Sequence, residues 1–447
     1  MTDRYRIATI FLLGFFLDCV NLFMSAVALP AIAQRFDVSV TSAAWVANAY
    51  ILGLTLSMPL APWLAERFGA RRLLSLSMLT FSLAAAAAGA AHGYLPLVAA
   101  RLLQGLGGGL LIPVGQALAF AAFPGTQRAR VSTLVMGTAL LAPALSPSLG
   151  GWLVDHWGWP WVFWVNVPFG LLIALLAWRW VDDTRQPGAR PDLRGLVLLC
   201  ALLAALLLGL SGVGLPVVFL ALAAVLALAY RRHARRTPQP VLATRLLGNP
   251  NLRLSVGLYQ AVPGVFTGIS LLNLFYLQRQ LGWSATHAGA LMLLYASGAL
   301  LAILLAGRLY NRLGAARLFR YGLLLHSAGI GLLALVGPEH GWPLLVAAYL
   351  LMGCGGGLVA NTAQTCALLD FHGAELRRAS LLWNLNRQFA FCLGAALFSL
   401  LYSLLQTPLG EVNAYRGCFL VGALIGLLAL PSLQRLAQSP NPAPECP

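Results

Sequence analysis

Apolar runs of roughly membrane-spanning length, separated by short polar segments, occupy nearly the whole chain. Fourteen are read, with approximate edges 7–30, 45–63, 73–93, 96–121, 132–154, 161–181, 195–213, 215–230, 254–278, 288–307, 318–336, 343–366, 380–406 and 417–434. A helix needs about 20 apolar residues to cross a bilayer. The pattern therefore predicts an all-α integral membrane protein of 14 transmembrane helices. The first run is long and holds Asp18, so it reads as an uncleaved span rather than a leader peptide. An even number of crossings puts both termini on one side.

Arginine placement supports that count. With the N-terminus inside, the inner loops hold Arg67, Arg71, Arg72, Arg128, Arg130, Arg185, Arg190, Arg231, Arg232, Arg235, Arg236, Arg308, Arg312, Arg317, Arg377 and Arg378, while the outer loops hold Arg35, Arg279 and Arg416. Cytoplasmic loops are rich in basic residues, and one missed span would scramble the alternation. Both termini are thus expected in the cytoplasm.

An internal repeat divides the chain. Leu64-Ala65-Glu66-Arg67-Phe68-Gly69 follows the second run, and Leu309-Tyr310-Asn311-Arg312-Leu313-Gly314 follows the tenth. The same short loop in two places implies duplicated bundles, an arrangement transporters use to place a binding site between repeats. Eight spans, not six, separate the copies. Residues 195–230 contain no Asp, Glu, His, Lys or Arg. The division expected is a six-helix bundle over 1–181, an inserted lipid-facing hairpin with its flanking cytoplasmic loops over 182–252, a second six-helix bundle over 253–436, and a disordered tail over 437–447.

Composition agrees. Charged residues make up 9% and hydrophobic residues 59% of the 447, whereas a soluble domain carries about 25% charged residues. The net charge of +16 comes from 29 arginines and no lysine. Its placement in inner loops explains it without nucleic acid. The seven cysteines show no metal-binding spacing and read as small apolar fillers. No HExxH, P-loop or GxSxG motif appears, so neither catalysis nor ATP drive is indicated, and no cofactor or metal is expected.

Against this background Asp18 stands out. It lies eleven residues into the first run, about 16 Å from the inner edge at 1.5 Å per residue and near the middle of a core about 30 Å thick. The other twelve acidic residues fall in loops, tails or span ends. A carboxylate at that depth marks function, and a proton-driven transporter needs a buried group that takes and releases a proton. Arg101, five residues into the fourth run, lies about 8 Å from the outer edge. Asp18 and Arg101 are expected to be coupled, directly or through water.

Further motifs follow in order. The fourth run carries Arg101-Leu102-Leu103-Gln104-Gly105 and glycines at 107, 108 and 109; the twelfth has glycines at 353, 355, 356 and 357. The fifth carries Ala142-Pro143-Ala144-Leu145-Ser146-Pro147-Ser148-Leu149-Gly150-Gly151. Trp159 to Gly170 opens the sixth, Tyr276-Leu277-Gln278 precedes the tenth, and Arg387-Gln388 with Gly394 marks the thirteenth.

Together these motifs resemble the major facilitator superfamily and, within it, the fourteen-span drug:proton antiporter family. The resemblance covers nearly the whole chain. It implies two six-helix bundles alternating access to a site between them, with the span-1 carboxylate carrying the proton. The family signature puts that carboxylate nine residues before the Pro of Ala-Leu-Pro, which is Asn21 here; Asp18 lies one helical turn earlier on roughly the same face. Glu66, Arg67, Gly69 and Arg71, with Asn311 and Arg312 of the second copy, would form a cytoplasmic gate. Pro143, Pro147, Gly150 and Gly151 would form the antiporter motif that bends the fifth span and seals the proton path.

Polar or adaptable residues at membrane depth complete the picture. Asn21, Met24, Gln104, Gln260, Asn273, Tyr276, Asn361, Gln364, Asn384 and Arg387 are expected around a substrate cavity, with Asn48 and Tyr50 as further candidates. The function expected is proton-coupled efflux of amphipathic organic compounds across the bacterial inner membrane. The partners expected are a small amphipathic molecule, protons and the bilayer, with a periplasmic adaptor protein as a further candidate. A dedicated metabolite exporter or importer of the same fold, or a non-transporting receptor, is the alternative.

Overall fold

A computed structural model describes residues 3–123, 138, 142, 145–182, 192–210, 215–238, 240–337, 341–371 and 373–433; the side chains of 3, 62, 120, 121, 306–312, 341, 373, 374, 376 and 377 also lie outside the description. Pro143, Arg128, Arg130, Arg185, Arg190 and the 437–447 tail fall outside it, as do the side chains of Arg308, Asn311, Arg312 and Arg377.

The described chain is built of helices: α1 (Asp3–Arg35), α2 (Val40–Ser57), α3 (Ala61–Phe68), α4 (Ala70–Gly89), α5 (Tyr94–Ala122), α6 (145–157), α7 (Trp161–Trp164), α8 (Asn166–Trp180), α9 (Leu193–Leu210), α10 (Pro216–Arg236), α11 (Pro250–Tyr259), α12 (Val265–Phe275), α13 (Ala285–Leu333), α14 (Gly341–Leu368), α15 (Gly373–Leu409) and α16 (Glu411–Leu428). Twelve helices among the described residues are long and apolar enough to cross a membrane. Two expected crossings are not among them. The fifth, 132–154, is only partly described, and the eleventh, 318–336, is the second arm of α13.

The repeat is visible in the backbone. Gly69 separates α3 from α4 with φ 89°, and Gly314 breaks the 49-residue α13 with φ 73°. Both positions need a left-handed conformation that a side chain disfavours, so the shared Gly of the two loops is a conformational requirement.

Helix packing repeats as well. Side chains added at Gly105 and Gly109 of α5 would strike the α2 backbone at Tyr50 and Leu54, and one at Gly107 would strike α4 at Ser77 and Phe81. In the second half, Gly353 and Gly357 of α14 abut Tyr295 and Ala299 in the first arm of α13, and Gly355 abuts Gly322 and His326 in the second. The same i, i+2, i+4 glycine spacing lets one helix lie closely against two neighbours in each half. His326 fits there, its Nδ1 3.1 Å from the Met352 carbonyl.

The α9–α10 hairpin is less peripheral than its composition suggests. α10 does turn outward, with Val217 78% and Val225 62% exposed. α9, in contrast, packs on both halves. Leu199, Leu203 and Leu207 join one apolar cluster with Tyr50 and Ile51 of α2 and Leu385 and Cys392 of α15. At its base the Asp192 carboxylate accepts from Gly195 N (2.8 Å) and Val241 N (3.3 Å), and lies 2.7 Å from His233 Nε2. Tyr230 ties down Leu242 through both backbone groups. These contacts fix the connection from hairpin to α11.

Candidate functional site

The centre of the first half is a hydrogen-bonded cluster. Asp18 is 6% exposed and Arg101 fully buried. The Tyr50 hydroxyl donates to Asp18 Oδ1, and the Arg101 guanidinium lies 4.4 Å from the centroid of the same Tyr50 ring. Phe163 flanks the guanidinium at 5.2 Å. Arg101 Nε donates to the Val46 carbonyl (2.9 Å), Nη1 to Asn21 Oδ1 (3.1 Å) and Gln104 Oε1 (2.7 Å), and Nη2 to Ser25 Oγ (3.2 Å). Gln104 Nε2 also donates to Asn21 Oδ1 at 3.1 Å.

This geometry follows from the helices. Asp18, Asn21 and Ser25 recur at the spacing that shares one face of α1. Arg101 and Gln104 are three apart on α5. Gly108 leaves room for the pair, since a side chain there would lie 3.3 Å from the Tyr50 hydroxyl and 3.5 Å from Asp18 Oδ1. A buried charge is tolerated when paired and hydrogen-bonded. Here Tyr50 links acid and base, serving one through its hydroxyl and the other through its ring face.

From the second half, Arg387 of α15 is close enough for its charge to act on Asp18, as does that of Arg101. Arg387 Nε is buried without a hydrogen-bond partner.

An apolar cavity lies between the halves. Leu22, Phe23 and Ile51 wall it from α1 and α2, and Phe266, Met292 and Phe391 from α12, α13 and α15; Asn48, Thr267 and Ser270 supply its polar groups.

The expected cavity residues distribute differently. Asn21 and Gln104 belong to the Arg101 cluster. Met24 is fully buried against Gly150. Gln260 donates to Asn386 (2.8 Å), Asn273 to the Tyr349 hydroxyl (2.8 Å), and the Tyr276 hydroxyl to the Val336 carbonyl (2.8 Å). Asn361 and Asn384 are half-buried, and Gln364 is exposed. The helix faces that meet at the cavity are mainly apolar, and a search by polarity passes over them.

The halves are clasped at the end of the bundle away from the start of α1. Asp155, at the end of α6, accepts from Ala285 N (3.0 Å), Thr286 N (2.7 Å) and Thr286 Oγ1 (2.6 Å) at the first turn of α13. Carboxylates are favoured at helix N-termini. Gly151 packs on the backbone of Ala285 and Thr286, and Gly289 of α13 on the Pro147 carbonyl. Gln278 reaches the Val27 carbonyl (3.3 Å) and Thr41 the Ser399 carbonyl (3.2 Å). Pro147, Gly150 and Gly151 therefore lie at the junction between halves. In sequence Asp155 resembles an ordinary loop acid, and its role in the clasp requires the fold.

In the 64–69 motif, which the structure makes the end of α3 and the turn into α4, Glu66 and Arg67 are exposed. Arg67 lies over Trp63 (5.4 Å) and Arg71 over Trp178 (5.4 Å). Exposed Trp152, Trp157, Trp161 and Trp164 form a ladder of rings near the clasp, in the manner of interfacial aromatic belts.

The family model of the Major Facilitator Superfamily matches residues 11–245 and 262–445. The chain belongs to the Major Facilitator Superfamily. Its relatives place it in the superfamily's multidrug efflux family. It is 34% identical over 406 residues to a multidrug resistance protein B homolog of Mycobacterium tuberculosis, covering 84% of this chain and 73% of that one. It is 26% identical over 433 residues to the putative multidrug resistance protein MdtD of Pectobacterium atrosepticum, covering 94% and 92%. A crystal structure of a POT family transporter in complex with 5-aminolevulinic acid superimposes with a TM-score of 0.72 at 14% identity, covering 97% and 96%; at that identity the likeness is one of fold. As a superfamily member the protein is a multi-pass membrane transporter of small molecules.

Proposed function

We propose that the protein exports amphipathic organic compounds across the bacterial inner membrane in exchange for protons. One observation carries the reading. Asp18, the single buried acid among the described residues, is joined through Tyr50 to Arg101 one helical turn from a residue that walls an apolar cavity between the halves. A cavity with apolar walls and few polar groups suits lipophilic ligands. A carboxylate at membrane depth suits a proton relay. Multidrug resistance relatives supply the direction and the kind of compound.

In this reading fourteen helices cross the membrane: the twelve that meet length and hydropathy criteria, the segment containing α6, and the second arm of α13. Arginine-rich loops keep both termini cytoplasmic. The Asp155 clasp then faces the periplasm, and the clasped conformation is the one open to the cytoplasm. The loop Glu66–Arg71, with Asn311 and Arg312 opposite, closes the cytoplasmic side when the halves rock. In the clasped conformation the packing of Gly150 and Gly151 against α1 and α13 seals the periplasmic side, and it separates when the cytoplasmic side closes.

The test is proton movement in inside-out vesicles, followed with a pH-sensitive dye while candidate compounds are added. Compound-induced proton release in native protein that disappears in Asp18→Asn supports antiport through Asp18. The same release in both proteins moves the proton to another group. No release with a broad panel of compounds overturns antiport.

A further inference from the structure

We infer that Arg387 is the counter-ion for a carboxylate on the transported compound, so that the cavity selects amphipathic anions. This deepens the export reading, and rests on it for the site but not for proton coupling.

Position is the first ground. Phe391 of α15 and Leu22 of α1 both line the cavity. Arg387 precedes Phe391, and Asp18 precedes Leu22, by four residues on the same helix faces. Both charges therefore sit at one end of the apolar space, one contributed by each half. A ligand with an apolar body and one charged head would put its head between them.

Donor accounting is the second. Every nitrogen of Arg101 is engaged, since Nε and both terminal nitrogens reach uncharged acceptors on α1, α2 and α5. Arg387 is not. Its Nε is buried and lacks a partner, and so does Nδ2 of the adjacent Asn386, whose Oδ1 accepts from Gln260. Buried donors without acceptors are costly. Arg387 Nε lies one helical turn from the cavity wall at Phe391, where an incoming oxyanion would satisfy it.

Charge balance is the third. Asp18 is the one buried acid among the described residues, and the charges of both Arg101 and Arg387 act on it. One positive charge is in excess. A cationic ligand would add a second at low dielectric, whereas an anion neutralises the first. Arginine also suits a carboxylate through its planar, two-pronged donor geometry.

The experiment compares three probes with one apolar body: pyrenebutyrate, its methyl ester and pyrenebutyl-trimethylammonium. Affinities for the full-length protein in detergent are measured by probe fluorescence at one pH and with no gradient. The carboxylate is expected to bind about tenfold or more tighter than the ester, as a charge-assisted pair would give. Arg387→Gln should erase that ratio while ester binding is kept, and Arg387→Lys should preserve most of it. Equal binding of acid and ester, a preference for the ammonium probe, or an unchanged ratio in Arg387→Gln would each overturn the inference. If Arg387→Gln binds neither probe, Arg387→Lys decides: a retained preference supports the counter-ion role, and a lost one refutes it. Because no gradient is present, a failure of antiport leaves this result intact, and the converse also holds.

Discussion

Tyr50 donates its hydroxyl hydrogen to Asp18 from the same ring that carries the Arg101 guanidinium on its face. The second half repeats the scaffold without the charges. Tyr295 abuts Gly353 and Gly356 as Tyr50 abuts Gly105 and Gly108. Asn273 donates to the Tyr349 hydroxyl where, in the first half, Asn21 accepts from Arg101. Duplicated helices thus hold a charged cluster in one half and a neutral one in the other. This asymmetry concentrates the candidate proton chemistry on α1, α2 and α5.

Tyr50→Phe separates the two contacts. It removes the hydroxyl bonded to Asp18 and keeps the ring beneath Arg101. The protein should fold to native yield, while the dependence of vesicle transport on pH shifts along the pH axis. An unchanged pH profile would show that Tyr50 does not tune Asp18.

Arg101→Ala removes a buried cation with hydrogen bonds to three helices. Losing one member of a buried, hydrogen-bonded charge cluster costs about 3–5 kcal/mol. The thermal midpoint of the detergent-purified protein should fall by several degrees, with reduced folded yield. A midpoint within experimental error of the native value would contradict the network described.

Asp155→Ala deletes three hydrogen bonds at the start of α13. The partly exposed site limits their worth to roughly 1–2 kcal/mol. That is enough to shift a two-state equilibrium about five- to thirtyfold. Spin labels at Arg35 and Arg279, near the clasped end, should report a larger population of long distances. An identical distance distribution would rule out a clasp.

Gly69→Ala and Gly314→Ala each force a side chain into left-handed backbone, φ 89° and 73° respectively. Each should lower stability by about 1–2 kcal/mol, read as comparable drops in thermal midpoint. A large effect at one site and none at the other would deny that the loops are equivalent.

Asp192→Ala should free the connection at Val241 from the hairpin base. Trypsin would then cut near Arg235 and Arg236 several-fold faster. Unchanged cleavage would mean that the Tyr230–Leu242 pair holds the segment alone.

The sequence by itself determined the membrane class and the identity of the buried acid, and it pointed to a repeated turn. These are local or compositional properties. A run of apolar residues must be a helix in lipid because backbone groups there need internal partners. The shared Gly69 and Gly314 reveal a repeated backbone turn, and a carboxylate in an apolar run is conspicuous wherever it falls. Asp18 and Arg101 could be paired on depth alone, since both helices have a fixed rise per residue.

Only the tertiary structure decided what lies between them and around the cavity. Tyr50 and Ser25 enter the cluster because α1, α2 and α5 approach closely at their glycines, a relationship set by packing between segments far apart in sequence. The cavity walls are mostly leucine, alanine and phenylalanine, residues that any lipid-facing helix also carries. Several polar residues expected there instead satisfy one another within a half. Asp155 and α9 show the same principle. One is a span-end acid and the other an uncharged helix, and each joins the two halves because of where the fold puts its neighbours.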